Sequence, residues 1–595
     1  MRRSRRRKPS LRPTKNRNMP GSADFIQRAV HALEAGGLAI WIRRALAALA
    51  VFLLIIFYMF FHFRGLATSQ AMDQAQIGRQ IASGQGWRTN FARPLAIGQL
   101  QANGKDVSQN IWFDTYHAPL PPLVNAIALT PVKAHWKMTP RDLQYAGDKA
   151  IALMAILLFI ASVVVLFFTA RRLFDQRLAL LGCSLVLITD AIWQYSLSGL
   201  PQMLLLFLFN ATVYALVRAV QIKYAGGKPT LWLAVVGVCF GLLALTHALT
   251  IWMFLGALIF CVFFFSPRGG AAAIVLAAFM IIYVPWLVRT YAVCGNPAGV
   301  AFYSVLDGIQ FSEAGWMRRI DPDLQQVGPG AFRSKILGNL ISQMGRIFEY
   351  LGWSVVAMAF FAALLHAFKR PETNALRWML LAMWAGAVLG MAVFGLREEQ
   401  GFAANQLHLI FMPLMACYGL AYLLVQWNRL GIMNNLARIG FITLLFLITG
   451  FPMINTLVLS GRKPQIRWPP YVPPYIAVLN NWMQPNEIIA SDMPWAIAWY
   501  ADRRSLWLPE TVQIFSDLSD YKVLSGPING LYLSPISGSQ NTLREIVKGE
   551  YKDWGAVIQR SLVLEKFPLK WATLLGLENE CVFFSDHDRS QIKTE

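Results

Sequence analysis

Charged residues are scarce in this chain, and acidic residues are the scarcer kind. Only 14% of the 595 residues are charged, whereas an average soluble protein carries about 25%. Asp and Glu number 32 against 54 Lys and Arg, and there are only six cysteines. The cysteines show no spacing typical of metal ligands. The composition therefore argues against a string of soluble domains and against a cysteine-based metal site.

The positive charge that gives a formal net charge of +22 is unevenly distributed. The densest basic run lies between Arg2 and Arg17, and Arg43 and Arg44 precede the first apolar block. Basic segments beside a membrane helix bind anionic lipid headgroups and keep that end of the helix in the cytoplasm. We therefore predict that residues 1–44 are a basic, disordered cytoplasmic tail, and we expect no nucleic-acid partner.

Hydrophobic residues make up 56% of the chain and are concentrated in blocks. A membrane helix needs roughly 20 apolar residues, and about eleven blocks approach that length. The first lacks a small-residue cleavage site and is typical of an uncleaved signal anchor. The blocks are 45–62, 149–169, 178–193, 200–218, 231–247, 249–266, 271–289, 349–368, 376–395, 406–425 and 437–457.

Loop charges indicate the orientation of these helices. With the N-terminus inside, every cytoplasmic connection is short and basic, as the positive-inside rule expects. Two long loops, 63–148 and 290–345, and the tail from 461 then lie outside. The tail opens with a Pro-rich linker and continues as strand, helix and strand. We predict a polytopic α-helical membrane protein of about eleven transmembrane helices (45–460), with a small extracytoplasmic α/β domain (461–595).

The first long loop carries the most informative acid. Residues 71–87 predict an amphipathic helix ended by Gly84 and Gly86, and a second, Pro-started helix follows within 117–131. Asp73 shares a helical face with Ile77 and Ile81. An acid on an apolar face is costly unless it is paired or functional. The alternative is an acid that complements the dipole at a helix N-terminus.

Other ionisable residues lie at the same predicted depth. Asp114 and His117 are three residues apart and could hold a phosphate or a metal, or belong to an ordinary polar loop. A belt follows at the outer helix ends, where each member could also be an interfacial anchor. It comprises Asp148, Lys149, Asp190, His247, Arg289, Arg397, Glu398, Glu399 and His408. Together they could line a cavity for a charged lipid headgroup.

Several short motifs follow one another in a characteristic order along the chain. They are the acid in Ala71-Met72-Asp73-Gln74-Ala75, the segment His117-Ala118-Pro119-Leu120, Ser198-Gly199-Leu200-Pro201-Gln202, Pro285-Trp286-Leu287-Val288-Arg289, and Ser491-Asp492-Met493-Pro494 with Arg503-Arg504-Ser505-Leu506. In the order of these motifs, nearly the whole chain resembles the GT-C class of membrane glycosyltransferases, in the branch of the protein O-mannosyltransferases and lipid A aminoarabinose transferases.

The chain departs from the class at three places. Gln74 stands where a second acid is frequent, Gln202 where Glu is frequent, and Asn405-Gln406 where Arg-Tyr is frequent. The sequence therefore requires no cofactor and leaves a divalent metal and a second carboxylate open.

The resemblance implies a polyprenyl-phosphate-linked sugar as donor and a protein, lipid or glycan as acceptor. It implies Asp73 as general base and inversion at the anomeric carbon. Candidates for binding the phosphate are His117, Asp114, Lys149, His247, Arg289 and Arg397. A bacterial plasma membrane is the expected location. The alternatives are a transporter or flippase of lipid-linked or anionic substrates, and a non-catalytic protein of envelope assembly.

Overall fold

Each of the eleven predicted apolar blocks contains a helix. The computed structural model describes residues 37–107, 111–309, 315–321, 327–432, 434–460, 472–520, 523–524, 526–534, 552–558, 567–575 and 581–589. Within these residues, seven helices are long and apolar enough to cross a membrane. They are Trp41–His62, Ala146–Leu173, Gln202–Tyr224, Gly270–Cys294, Pro371–Phe394, His408–Arg429 and Asn435–Val458. The prediction of a multi-pass α-helical membrane protein is confirmed.

The remaining four blocks form bent or short helices, so fewer than eleven helices have full membrane-spanning length. Gln176–Leu187 and Asp190–Leu197 are bent by 56° and count as an eighth span if taken together. Thr230–Thr246 and Thr250–Phe264 are apolar but shorter. The block 349–368 contains the nine-residue helix Val355–Ala363.

Shorter elements fill the loops and the C-terminal region. The α-helices are Ser69–Ala82, Pro94–Ala102, Leu120–Leu129, Pro329–Gly345, Ile347–Tyr350, Pro473–Trp482, Pro494–Ala496, Val512–Leu518 and Gly555–Ile558. The 3-10 helices are Thr130–His135, Gly299–Leu306, Gly315–Arg318 and Lys552–Trp554, and π-helical turns occur at Tyr58–His62 and Ile497–Ala501. The first apolar helix begins at Gly37 and the last ends at Ser460.

The chain divides into two compact units, Met1–Phe60 and Phe61–Glu595. The first unit contributes the helix Gly37–Phe57, whose apolar side chains are mostly exposed. The π-helical turn Tyr58–His62 spans the division, and the second unit contains the helices from Ser69 onward and the strands described below. Most of the predicted basic tail (residues 1–36) and most of the predicted Pro-rich linker (up to residue 471) lie outside the described residues.

Both helices predicted in the first long loop are present. The amphipathic helix spans Ser69–Ala82, and Gly84 and Gly86 follow it with φ of 84° and 72°. Glycine adopts such left-handed angles without the steric cost of a Cβ, which is why these residues end the helix. The second helix, Leu120–Leu129, has proline in its first turn, where the missing N–H is not needed.

Ten short strands form three sheets within the described residues. They are β1 (Arg88–Thr89), β2 (Phe91–Ala92), β3 (Trp112–Phe113), β4 (Glu398–Glu399), β5 (Phe402–Ala403), β6 (Ile488–Ser491), β7 (Arg504–Trp507), β8 (Gly530–Leu533), β9 (Trp571–Leu575) and β10 (Cys581–Ser585). β1 pairs with β3, and β4 with β5, as small antiparallel ribbons. The other six form one sheet in the order β2-β7-β6-β8-β10-β9.

The six-stranded sheet joins the C-terminal region to the first long loop. Strands β6 and β7, with the helical segment between them, confirm the predicted strand–helix–strand pattern. β2 comes from the first long loop and pairs in parallel with β7, Phe91 opposite Ser505 and Ala92 opposite Leu506. Ile97 and Trp112 of the same loop belong to the apolar core beneath the sheet. The predicted α/β domain therefore contains loop residues that the sequence pattern did not assign to it.

Candidate functional site

The helix Ser69–Ala82, called the Asp73 helix below, is fixed at its first turn from two directions. Thr68 caps it, because the Thr68 side chain accepts a hydrogen bond from a backbone N–H of the first turn. Glu399 of the β4–β5 ribbon accepts from the backbone N of Ser69 at 2.9 Å and from its hydroxyl at 2.7 Å. These bonds satisfy donors that a helix N-terminus leaves free, and they place an acid at its positive end.

Asp73 is buried and paired on both carboxylate oxygens. Oδ2 lies 2.6 Å from the Arg93 guanidinium, and Oδ1 accepts from Gln76 Nε2 at 3.0 Å. The Nε2 atom of His117 lies 3.6 Å from Oδ2. A buried carboxylate is costly unless an opposite charge and hydrogen bonds compensate it. Arg93 supplies that compensating charge.

Arg93 is a site residue that the sequence did not reveal. Its guanidinium carbon lies 4.3 Å from the centre of the Phe91 ring and 4.1 Å from that of Tyr116, so it is held by two aromatic faces. It is 20 residues from Asp73, a separation that follows no helical or strand period. Because Arg93 comes directly after β2, only the pairing of β2 in the sheet explains its position.

Asp114 and His117 form a second polar pair. Asp114 Oδ2 accepts from the backbone N of His117 at 3.1 Å, and Oδ1 lies 3.3 Å from His117 Nδ1. Burial alone would raise the pKa of Asp114, but His117, followed by Arg93 and Arg289, lowers it overall. Asp114 thus orients the imidazole with its other nitrogen toward Asp73.

A cavity of about 300 Å³ lies beside this pair. The basic residues in its wall are His117, His247 and Arg397. Amide and hydroxyl residues of the wall include Gln70, Gln74, Thr115, Thr246, Ser304 and Asn405. Aromatic residues of the wall include Tyr116, Trp252, Tyr283, Trp286, Phe302 and Phe394. Basic and aromatic groups in one cavity suit a ligand with an anionic group and an apolar part.

Arg397 reaches the cavity from a tight loop at the start of the β4–β5 ribbon. Its φ is 52°, a left-handed angle that is uncommon outside glycine and persists where the surroundings enforce it. It donates to the hydroxyl of Tyr116 and to the carboxylate of Asp307. Burial would lower the pKa of Arg397, but Tyr116 and Asp307 raise it overall. Arg397 is therefore a permanent positive charge in the wall.

His247 lies in the turn between the helices Thr230–Thr246 and Thr250–Phe264. Burial, followed by repulsion from Arg397, lowers the pKa of His247 to about 4. Leu249 N donates to its Nδ1 at 3.3 Å, so the neutral ring carries its proton on Nε2. His247 therefore acts near neutral pH as a hydrogen-bonding group and contributes no positive charge.

Four polar atoms of cavity-lining residues have no hydrogen-bond partner among the described residues. They are Gln74 Oε1, Thr115 Oγ1, His117 Nε2 and Arg397 Nε. Buried polar atoms are seldom left without a partner in native proteins, and the exceptions include sites for water or ligand. These atoms are consistent with a polar ligand in the cavity.

Five of the predicted site residues meet at or next to this cavity. His117, His247 and Arg397 line it, while Asp73 and Asp114 contact His117 without lining the cavity themselves.

The other two predicted residues are placed differently. Arg289 donates to the backbone oxygen of Asp114 at 2.7 Å, so it braces the loop and does not line the cavity. Lys149 is exposed on the helix Ala146–Leu173 and is not part of the cavity wall. At the start of that helix Lys149 follows the buried Asp148, so helical rotation carries its side chain to another face.

The described residues contain no group of three His, Cys, Asp or Glu side chains that could hold a metal ion. Asp73 also has both oxygens engaged by Arg93 and Gln76.

Comparisons with known proteins show what the chain resembles in family and in fold. A family model described as dolichyl-phosphate-mannose-protein mannosyltransferase matches residues 142–289, about a quarter of the chain. A search of curated protein sequences gives no match.

Among solved structures, ArnT from Cupriavidus metallidurans bound to undecaprenyl phosphate is similar over 92% of this chain and 98% of its own, with a TM-score of 0.53 and 12% identity. The Archaeoglobus fulgidus oligosaccharyltransferase, in complex with Zn and sulfate, matches 80% of this chain with a TM-score of 0.48 and 13% identity, and the chain spans only 65% of that protein. The chain thus shares the fold of ArnT. The resemblance to the GT-C class that its sequence predicts is confirmed.

Proposed function

We propose that this protein is a glycosyltransferase that moves a sugar from a polyprenyl-phosphate donor to an acceptor at the outer face of the membrane. The observation that carries the proposal is the cavity in which His117, His247 and Arg397 share a wall with aromatic rings, directly beside buried Asp73. The fold shared with ArnT, a protein solved with undecaprenyl phosphate bound, supports it.

The donor is an amphiphile with an anionic phosphate and an apolar lipid. The basic residues of the cavity wall suit the phosphate, and the aromatic residues suit the apolar part. The phosphate is stabilised by charge-assisted hydrogen bonds. Arg397 supplies the permanent charge, and the neutral ring of His247 supplies an Nε2–H donor. The aromatic residues contributed by membrane helices, such as Trp252 and Trp286, suit the sugar ring and the first part of the lipid.

Transfer then proceeds as one displacement. The acceptor hydroxyl or amine attacks the anomeric carbon, and a new bond forms there as the bond to the phosphate oxygen breaks. Polyprenyl phosphate leaves with the electron pair, and basic groups stabilise its charge. Asp73 accepts the proton of the acceptor, and the configuration at the anomeric carbon inverts. For this step the acceptor must approach Asp73 from the side of His117, which lines the cavity and whose Nε2 lies 3.6 Å from Oδ2.

Membrane orientation follows from the charge pattern. We place the N-terminus in the cytoplasm and the cavity and C-terminal sheet outside, because the short basic connections then lie inside. A bacterial plasma membrane suits this arrangement.

The test compares wild type with Asp73→Asn in phospholipid bilayers, using radiolabelled polyprenyl-phosphate sugars and an extract of envelope acceptors. Asp142→Asn is the matched control, because Asp142 is an exposed acid of the same loop whose carboxylate bonds only within its own turn. We expect a loss of transfer of about 100- to 10,000-fold in Asp73→Asn, and none in the control. Equal transfer by wild type and Asp73→Asn would remove Asp73 as the base. Sugar-lipid movement across the bilayer without transfer would support a flippase.

A further inference from the structure

The Asp73 helix is held at its last turn by a π-helical turn of the C-terminal region. Arg79 lies in that last turn and donates to the backbone oxygens of Ala498 at 2.7 Å and Trp499 at 2.8 Å. Both oxygens belong to Ile497–Ala501. Carbonyls at the end of a helix have no partner within it and carry partial negative charge, so the buried guanidinium caps the π turn from outside.

Arg79 has further partners in the same place. It pairs with Asp502 at 2.8 Å, donates to the hydroxyl of Tyr145 at 3.1 Å, and lies 4.9 Å from the centre of the Trp499 ring. Burial would lower the pKa of Arg79, but Asp502 and Tyr145 raise it overall. The planar guanidinium of Arg79, with several partners at fixed positions, is held in one orientation. The ammonium group of a lysine would not be held in this way.

The π turn is itself anchored to a membrane helix. Trp499 Nε1 donates to Asp148 at 2.7 Å, and the Tyr500 hydroxyl donates to the other oxygen at 3.0 Å. Asp148 lies in the first turn of the helix Ala146–Leu173. The turn therefore lies between this helix and the Asp73 helix, and it contacts both through buried hydrogen bonds.

Asp502 also links this contact to β2, the strand that directly precedes Arg93. It ends the π turn with φ of 50° and accepts from Arg79 and, at 3.4 Å, from Asn90. The backbone oxygen of Asn90 accepts from Ser505 N of β7 at 2.7 Å, where β2 begins to pair. Arg93 follows β2 directly. The C-terminal region thus holds Asp73 through Arg79, and Arg93 through β2.

We propose that the C-terminal region positions the Asp73–Arg93 pair for transfer, with Arg79 and Asp502 as positioning residues. The proposal rests on the proposed function, because it assumes that Asp73 is the base. The C-terminal sheet then influences kcat, because a displacement of this sheet moves both Asp73 and Arg93.

The experiment uses the full-length protein in phospholipid nanodiscs with two variants. Asp502→Asn removes the charge at nearly constant volume, and asparagine tolerates the left-handed backbone. Arg79→Lys keeps the positive charge but removes the planar guanidinium with its several hydrogen-bond donors. The control is Arg319→Gln, which breaks the pair of Arg319 with Glu510, another contact between a loop and the C-terminal region, remote in sequence from the Asp73 helix.

Three quantities are measured in each variant: amide hydrogen exchange in residues 69–93, transfer kinetics, and affinity for undecaprenyl phosphate. For Asp502→Asn we expect exchange about tenfold faster in the Asp73 helix, and kcat lower by about 10- to 100-fold, because small misplacements of reacting groups have effects of this size. KM for the donor and the affinity for undecaprenyl phosphate stay within about twofold, because the cavity wall is unchanged. Arg79→Lys changes in the same direction, and Arg319→Gln matches wild type.

Unchanged exchange in residues 69–93, or a fall in kcat equal to that of Arg319→Gln, would overturn the positioning role. A parallel rise in KM and loss of undecaprenyl phosphate affinity would also overturn it, since they indicate general damage. Failure of the proposed function looks different: wild type itself then transfers no sugar, or Asp73→Asn transfers normally, while the exchange measurement still reports whether Arg79 and Asp502 hold the helix.

Discussion

The two walls of the cavity differ in how their side chains are held. The loop wall, formed by Thr115, Tyr116 and His117, is tied to charged groups: Arg93 lies against Tyr116, and Asp114 bonds to His117. The helix wall, which includes Trp252 and Tyr283, is held by shape. Glycines of the facing helix allow this, since a Cβ added at Gly390 would lie 2.7 Å from the Trp252 ring.

Because of this difference, we expect the two walls to affect different kinetic parameters. Groups that must meet a developing charge need fixed positions, and buried charge networks provide them. Groups that accommodate a sugar ring and a lipid need surface, and aromatic rings provide it at low entropic cost. We expect changes in the loop wall to act mainly on stability and kcat, and changes in the helix wall to act mainly on KM.

The largest expected effect follows from removing Arg93. Arg93→Met leaves the buried carboxylate of Asp73 without its opposite charge, and breaking a buried ion pair costs about 3–5 kcal/mol of unfolding free energy. The measurement is the unfolding transition of the purified protein in detergent. The control is the double variant Arg93→Met with Asp73→Asn, which should regain most of the loss because no charge is left unpaired. A double variant less stable than Arg93→Met would contradict the pairing.

Removing Arg397 should weaken donor binding. A hydrogen bond to a charged group contributes about 1.5–3 kcal/mol, so Arg397→Gln should lower the affinity for undecaprenyl phosphate by roughly 10- to 100-fold, and Arg397→Lys by less. The control is Arg346→Gln, because Arg346 pairs with Glu398 of the same ribbon but does not line the cavity. Equal binding by Arg397→Gln and wild type would assign the phosphate to another residue.

The membrane part of the fold is predictable because its signal is local. A block of apolar residues specifies a helix by itself, and all eleven blocks contain one. The length of each span is set less locally. The block 349–368 contains the end of the helix Ile347–Tyr350 and the helix Val355–Ala363, because Gly352 and Trp353 between them have positive φ. Pairing of β2 with β7 is not local at all, because it joins residues more than 400 positions apart.

The same distinction applies to the site. Asp73 is detectable because an acid interrupts an apolar helical face, and His117, His247 and Arg397 because they share a predicted membrane depth. Membrane depth does not specify which face of a helix a side chain occupies, so the sequence pattern groups Lys149 with these residues although it is exposed. Arg93 carries no periodic signal, since the sheet and two aromatic rings determine its place.

An aromatic residue of the helix wall should affect KM and leave kcat nearly unchanged. Trp252→Leu removes ring surface from the cavity without touching the charged network, and aromatic contacts contribute about 0.5–1.5 kcal/mol beyond area. We expect KM for the donor to rise about three- to tenfold. Trp378→Leu is the control, because Trp378 is an exposed tryptophan outside the cavity wall. A fall in kcat with unchanged KM would contradict this expectation, because it would show that Trp252 acts on the rate as residues of the loop wall do.

The smallest effect concerns the pH dependence of the loop wall. The pKa of Asp114 is lowered from its ordinary value of 3.8, because His117, Arg93 and Arg289 outweigh its burial. Ionisation of Asp114 therefore stabilises the folded chain. This stabilisation is complete above pH 3.8 and is lost as the pH falls through the lower pKa of the folded state. Asp114→Asn lacks it at every pH.

The unfolding transitions of wild type and Asp114→Asn should thus differ at about pH 5 and converge below pH 3.8. Other carboxylates titrate in both proteins and cancel in the difference, and Asp142→Asn checks that the loss of an exposed acid has no such effect. A gap that persists unchanged at low pH would show that Asp114 acts through its shape and backbone hydrogen bonds alone. The loop wall would then depend on hydrogen-bond geometry at this position, as the helix wall depends on packing.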